Sequence, residues 1–345
     1  MLAIEKNRAS QIQNIKSKRI EKVSVDELFD GISKGQYPEL AKGITLIEST
    51  RPEDFEMANL LLTKCLSIQN SSLRIGITGV PGVGKSTFIE SFGSYLTKMG
   101  KKVAVLAVDP TSSISKGSIL GDKTRMEALV KDPNAFVRPS PAGDSLGGVS
   151  RKTRESIVLC EAAGFEIILI ETVGVGQSET LVHSMVDFFL LLKLAGAGDE
   201  LQGIKRGIIE MADAIIINKA DGDNVKKAKL AKTEFARALH LYPPKENGWI
   251  PTVLMVSSIE SSGLNDVWSL LKKFFEESEG NGHLSKNRFE QNRKWFEQNL
   301  ENELKFRFFK NPHLQKDIAE TLLKIEKNEV SPFHSAKLLV KKFLK

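Results

Sequence analysis

Residues 73–99, LRIGITGVPGVGKSTFIESFGSYLTKM, decide the fold of this chain. A short apolar run, Arg74 to Thr78, reads as a strand. A loop rich in glycine and proline follows, and a helix is entered at Lys85. The loop, Gly79-Val80-Pro81-Gly82-Val83-Gly84-Lys85-Ser86, fits G-x-x-x-x-G-K-[ST] with the strand before it and the helix after it that the motif requires. Gly79, Gly82 and Gly84 permit backbone angles closed to other residues, so the loop amides can turn inward around a phosphate at the positive end of the helix. Lys85 is then placed for the β- and γ-phosphates and the Ser86 hydroxyl for one position on Mg²⁺, with Thr87 among the nucleotide-binding residues.

Working outward, residues 73 to about 278 alternate short apolar strands with helical stretches. Strands are expected at 73–78, 103–108, 135–138, 166–171, 187–192, 213–217 and 252–256. That alternation predicts a doubly wound α/β domain whose mostly parallel sheet is covered on both faces, with ligands beyond the carboxyl ends of the strands. Residues 1–70 read as a helical N-terminal extension and 71–279 as the nucleotide-binding domain. Residues 280–345 read as a helical arm carrying Phe289, Phe296, Leu300, Leu304 and Phe308 at spacings of seven and four. Such a stripe must be buried, either by packing on its own chain or by pairing with a second copy, and a homodimer is the favoured expectation.

Bulk properties narrow the classes. The 345 residues carry a net charge of +6 with 27% charged and 41% hydrophobic residues, an ordinary globular composition. Interspersed lysines and glutamates suit an anionic ligand and give no indication of nucleic acid. No apolar run approaches a membrane span, and the basic first 22 residues lack a signal-peptide core. The two cysteines, Cys65 and Cys160, each sit in an apolar helical pattern, as core thiols in a reducing compartment do. A cytoplasmic protein is expected, or a mitochondrial matrix protein if eukaryotic.

After the strand ending at Ile217 comes Asn218-Lys219-Ala220-Asp221. The Asp221 carboxylate can accept from the ring N–H and the exocyclic amine of guanine. Adenine would face it with a lone pair, a mismatch that discriminates by roughly 10⁴-fold. Asn218 is placed to brace loops and the Lys219 stem to lie along the base, while Val256-Ser257-Ser258 closes over it after the next strand. Three acidic residues suit a hard divalent cation: Asp109 after the strand VAVLAV, Asp122 in a following loop, and Glu171 after EIILI. The segment Glu171-x-x-Gly174 also offers the Gly174 amide to a γ-phosphate. Val175 stands where many small GTPases place a glutamine that orients the attacking water, so slow hydrolysis without a partner is expected.

With these residues assembled, the chain resembles the methylmalonyl-CoA mutase-associated GTPases, the MeaB/ArgK-type G proteins. The resemblance runs from about Leu40 to Leu271 on GVPGVGKST (79–87), VDPTSS (108–113), GSILGDKTRM (117–126), SLGGVSRKTRE (145–155), ETVGVGQSE (171–179), GAGDELQGIKRGI (196–208) and NKADGDN (218–224). It implies a GTP- and Mg²⁺-binding homodimeric GTPase of the SIMIBI type. Such a protein acts as a chaperone for an adenosylcobalamin-dependent acyl-CoA mutase and gates its cofactor loading. By the same resemblance 109–125 and 171–180 match switches, and 196–208 matches a third that senses the partner. There Asp199 and Lys205 match a pair that swings toward the nucleotide, Lys205 acting as an arginine finger does elsewhere. Read from its residues alone, 196–205 is a polar loop with glycines. Two other readings compete: a metal-insertion GTPase of the same broad fold class, which would need clustered ligands that five scattered histidines do not supply, and a kinase linked to basic amino-acid transport, a role attached to this family's name, for which no separate catalytic loop is evident.

Overall fold

The computed structural model describes residues 24–68, 70–108, 126–139, 146–172, 178–195 and 206–344. The basic N-terminal segment lies outside them. The chain divides into two units, residues 1–284 and 285–345.

The first unit is built on a seven-stranded parallel sheet in the order β3-β2-β4-β1-β5-β6-β7. The strands are β1 (Leu73–Gly79), β2 (Val103–Val108), β3 (Ala135–Arg138), β4 (Ile167–Thr172), β5 (Phe188–Leu194), β6 (Ala214–Asn218) and β7 (Thr252–Met255). They fall within one or two residues of the expected runs. Apolar residues continue along each strand because both faces are covered, and successive side chains divide between the faces. Ile75, Ile77, Val105, Leu169, Phe188 and Leu190 face one way. There they meet α4 (Lys85–Lys98) through Phe88 and Phe92, and α10 (Leu264–Gly280) through Leu271 and Phe274. Leu106, Val108, Ile168, Ile170 and Phe189 face the other way. They are covered by α6 (Leu146–Ala162) and by three N-terminal helices, α1 (Val25–Ser33), α2 (Tyr37–Glu48) and α3 (Pro52–Leu66). Farther along that face, Ile215, Ile217 and Val253 pack on Ala228 and Phe235 of α9 (Val225–Leu239).

The N-terminal helices share one continuous core with α6. Leu28, Ile32, Leu40, Ile44 and Leu61 cluster with Leu159 and Cys160. Ser24 and Glu27 form a capping box at the start of α1, each side chain accepting the other's backbone N–H at 3.1 Å. The Tyr37 hydroxyl donates to Pro133 O at 2.8 Å, and Arg138 at the end of β3 pairs with Glu48 at the end of α2. Burial raises the Glu48 pKa against the lowering effect of that arginine. Cys65 and Cys160 are both buried free thiols, and burial pushes Cys65 up to about 12 and Cys160 up as well. No helix among the described residues is long and apolar enough to cross a membrane.

Order in the sheet creates the site. β1 lies between β4 and β5, so the chain leaves β1 toward one edge and returns past it to build the other. The crevice beyond its carboxyl end is the topological switch point.

The second unit is helical, continuing α11 (His283–Lys310) and adding α12 (Pro312–Glu326) and α13 (Pro332–Phe343). Asn311 caps α12, its Oδ1 accepting from His313 N and Leu314 N, with Pro312 supplying the first helical residue. Ser331 precedes Pro332 in the same pattern, but its side chain makes no capping bond. Of the expected stripe, Phe289, Phe296, Leu300 and Leu304 are exposed, whereas Phe308 packs on Phe343 with ring centroids 5.2 Å apart.

Phe274 is the centre of an aromatic cluster, with centroids 4.7 Å from Phe188 and 5.0 Å from Trp249, both edge-on. Phe274→Ala is expected to cost about 3–5 kcal/mol of stability. Urea unfolding measures it, and a loss below about 1 kcal/mol would show that the cluster is not structural.

Candidate nucleotide site

The phosphate loop is shaped by what surrounds it. A Cβ on Gly79 would lie 2.6 Å from the carbonyl oxygen of Leu192 on β5, so only glycine lets β1 end there. Gly84 precedes α4 with φ +91°, a left-handed conformation, and a Cβ on it would come within 2.9 Å of the Asn218 amide. Between them Val83 is fully buried in the core and pins the loop, leaving Pro81 and Gly82 exposed at its tip. Lys85, only 9% exposed, turns back inside the curve and donates to Gly79 O at 2.8 Å and Val80 O at 3.5 Å. Burial lowers its pKa, while Glu171 and Glu179 act to raise it. A cation is thus held where the loop amides and the start of α4 also present positive charge.

The end of β4 faces this loop. Ser86 Oγ donates to Glu171 Oε1 at 3.3 Å, and Thr172 Oγ1 donates to Thr78 Oγ1 at 2.9 Å, tying the two strand ends together. The hydroxyl and carboxylate form a pair of hard oxygen donors of the kind Mg²⁺ takes, with phosphate and water completing its shell. Glu179 on α7 (Ser178–His183) is the acidic neighbour that sequence reasoning missed, although it belongs to the quoted stretch ETVGVGQSE.

On the other side of β1, β6 delivers Asn218, which is 1% exposed. Its Nδ2 donates to Val83 O at 3.0 Å and Gly84 O at 3.4 Å, and its Oδ1 accepts from Ser258 Oγ at 2.8 Å. One amide therefore joins the phosphate loop to the loop after β7. Lys219, with φ +55°, donates to Gly82 O at 2.9 Å, so its ammonium rests on the phosphate loop while its stem spans the gap between the loops. Ser257 Oγ donates to Asp221 Oδ2 at 2.6 Å and accepts from Glu260 N at 3.1 Å, orienting the carboxylate. Val256 is buried and its N–H donates to Ile217 O, while its carbonyl accepts from Ala220 N.

The structure thus brings together residues 79–87, Glu171, Asn218, Lys219, Asp221 and residues 256–258. Asp109, Asp122, Gly174, Asp199 and Lys205 lie outside the described residues, as do Val175 and Gln177. Two further residues of α4 had no signal in the sequence. Glu90 Oε1 accepts from Ala128 N at 2.7 Å and Leu129 N at 3.3 Å, capping α5 (Glu127–Lys131) from across the core. Its other oxygen is buried without a partner among the described residues. Ser91 Oγ reaches Ser258 O.

Comparison with known proteins follows the same lines. Residues 40–313 match the family described as methylmalonyl Co-A mutase-associated GTPase MeaB. A probable GTPase of Mycobacterium tuberculosis is 46% identical over 317 residues, covering 92% of this chain and 94% of that protein. The mitochondrial methylmalonic aciduria type A homologue of Mus musculus is 44% identical, covering 92% and 79%. The GTPase ArgK of Escherichia coli is 42% identical, covering 91% and 95%. Among solved structures, one described as an LAO/AO transport system kinase superimposes with a TM-score of 0.74 at 36% identity, covering 94% of this chain and 99% of that one.

Glu90→Ala strips the acceptor from two amides and is expected to cost about 1–2 kcal/mol. Glu90→Gln keeps one acceptor oxygen and loses less. Equal losses in the two variants, read from denaturant midpoints, would contradict the capping role.

Proposed function

The chain belongs to the methylmalonyl-CoA mutase-associated GTPases of the MeaB family and is a GTP hydrolase, and from that premise we propose that it serves as a G-protein chaperone for an adenosylcobalamin-dependent acyl-CoA mutase. Methylmalonyl-CoA mutase is the partner the family name favours. Control of cofactor loading and protection of the mutase are the tasks such a chaperone performs. The cytoplasm, or the matrix of a mitochondrion, is the proposed compartment.

The observation that carries the nucleotide assignment is the polar bridge through Asn218, which holds the phosphate loop and the base loop in one rigid frame. In this reading Asp221, oriented by Ser257, accepts from the ring N–H and amine of guanine. The amides of 79–84 and the start of α4 surround the phosphates, and Lys85 exchanges its loop carbonyls for β- and γ-phosphate oxygens. Ser86 and Glu171 are the described residues suited to hold Mg²⁺, which when bound would neutralise charge on the phosphates; Asp109 and Asp122 are proposed to complete that set. Water attacks the γ-phosphorus and the bond to the β–γ bridging oxygen breaks, releasing phosphate and GDP. Because Val175 stands in the glutamine position, we assign the acceleration of this step to the mutase acting through 196–208, with Asp199 and Lys205 as the responding pair.

We also propose that the two-unit chain dimerises through α11. Phe289, Phe296, Leu300 and Leu304, spaced by seven, four and four, share one side of that helix and are exposed there. A second copy provides an apolar face of matching period.

Single-turnover hydrolysis with and without purified methylmalonyl-CoA mutase tests the chaperone reading. The expected result is slow GTP turnover alone and acceleration on adding the mutase; several turnovers per second by the isolated chain would defeat it. Asp221→Asn should weaken GTP binding at least about 100-fold, from two charge-assisted bonds of about 1.5 kcal/mol each, and admit xanthosine triphosphate. Unchanged GTP affinity would remove Asp221 from the base site.

A further inference from the structure

Ser91 lies on α4, five residues beyond Ser86, and its hydroxyl is within hydrogen-bond reach of two carbonyls. One is Thr87 O at 2.9 Å, the ordinary back-bond of a serine inside a helix. The other is Ser258 O, 167 positions away in the base loop. Ser258 is thereby held twice, its hydroxyl on Asn218 and its carbonyl on Ser91. Neither the Ser258 amide nor the Ile259 amide has a hydrogen-bond partner among the described residues, although Ser257 N and Glu260 N on either side are both bonded.

A peptide group is planar and trans, so its C=O and N–H point in opposite directions. Fixing Ser258 O against α4 therefore fixes the direction of the Ile259 N–H, away from that helix. The Asp221 carboxylate takes the two donors of guanine, and the edge of the base next to them presents the 6-oxo acceptor. An unclaimed amide on the loop that Ser257 ties to Asp221 has the complementary chemistry. Adenine would present an amine there, so the same amide adds a second element of discrimination.

We infer that Ser91 is a specificity-positioning residue. Through Ser258 O it aims the Ser258–Ile259 peptide at the 6-oxo group of guanine and sets base selectivity from the helix that begins at the phosphates. The inference rests on the assignment of Asp221 to the guanine edge. It makes α4 a common support for both ends of the nucleotide.

The test uses the full chain, its Ser91→Ala and Ser91→Thr variants, and three probes. GDP offers the full guanine edge. 6-Thio-GDP keeps both donors but carries a poorer acceptor at position 6. Inosine diphosphate keeps the 6-oxo group but lacks the 2-amine. Titration calorimetry should show GDP weakened by up to about tenfold in Ser91→Ala, the worth of one hydrogen bond. The preference for GDP over 6-thio-GDP should shrink toward one, while the preference for GDP over inosine diphosphate stays as it was. Ser91→Thr, which retains the hydroxyl, should keep all three affinities. An equal loss for GDP and 6-thio-GDP would reduce Ser91 to a packing residue, and so would no loss at all. If the unmodified chain binds GDP and inosine diphosphate equally, the failure lies in the Asp221 assignment instead. A thermal melt of each variant confirms that the comparison is between folded proteins.

Discussion

The buried amide of Asn218 is the constraint on which the rest of the crevice depends. It sits at the end of β6, almost wholly out of water, and must therefore satisfy its donors and acceptor from the protein. It does so with the carbonyls of Val83 and Gly84 on one side and the hydroxyl of Ser258 on the other. Three loops from three strands are thus fixed by one planar group. The surrounding bonds reinforce the same frame: Lys219 on Gly82 O, Ser257 on Asp221, and Ser91 on Ser258 O. A buried polar network satisfied in this way is rigid, because each missing bond would leave an unpaired group in a low dielectric.

How much of this could be read from residues alone follows from the range of the interactions. The strands are legible because both faces of a parallel sheet are covered, so β2 and the first four or five residues of β4 and β5 appear as apolar runs. The phosphate loop was legible for a different reason. Its glycines answer local demands, such as the carbonyl of Leu192 lying against Gly79, and a local demand leaves a local signature. Asp221 is legible through the chemistry of the base it suits, and Asn218 through its place as a brace between loops. Their wiring is not, since the partners Val83, Ser257 and Ser258 come from other loops and no spacing announces them.

Glu90 and Ser91 show the same limit more sharply. On a helix that reads as amphipathic, a glutamate and a serine look like solvent-side residues. Here they reach Ala128 and Ser258, and their roles exist only once the sheet has brought those backbone groups alongside α4. In the second unit the stripe from Phe289 to Phe308 read as one continuous face. The structure divides it, because α13 returns to place Phe343 against Phe308 while the residues before it remain exposed. Periodicity gives the face of a helix, and only the path of the next helix decides which part of that face is used.

The strand order has a bearing on how the protein comes into being. β1 pairs with β4 and β5, both later in the chain, Leu73 lying beside Ile167 and Ile75 beside Phe188. As the nascent polypeptide leaves the ribosome, the strand that carries the phosphate cradle gains its two sheet neighbours only when those later segments have emerged. Asn218, farther downstream still, must then arrive to lock it. Nucleotide capture is consequently a late event in biogenesis, and a polypeptide stalled before β6 would carry the whole glycine-rich motif without a working pocket.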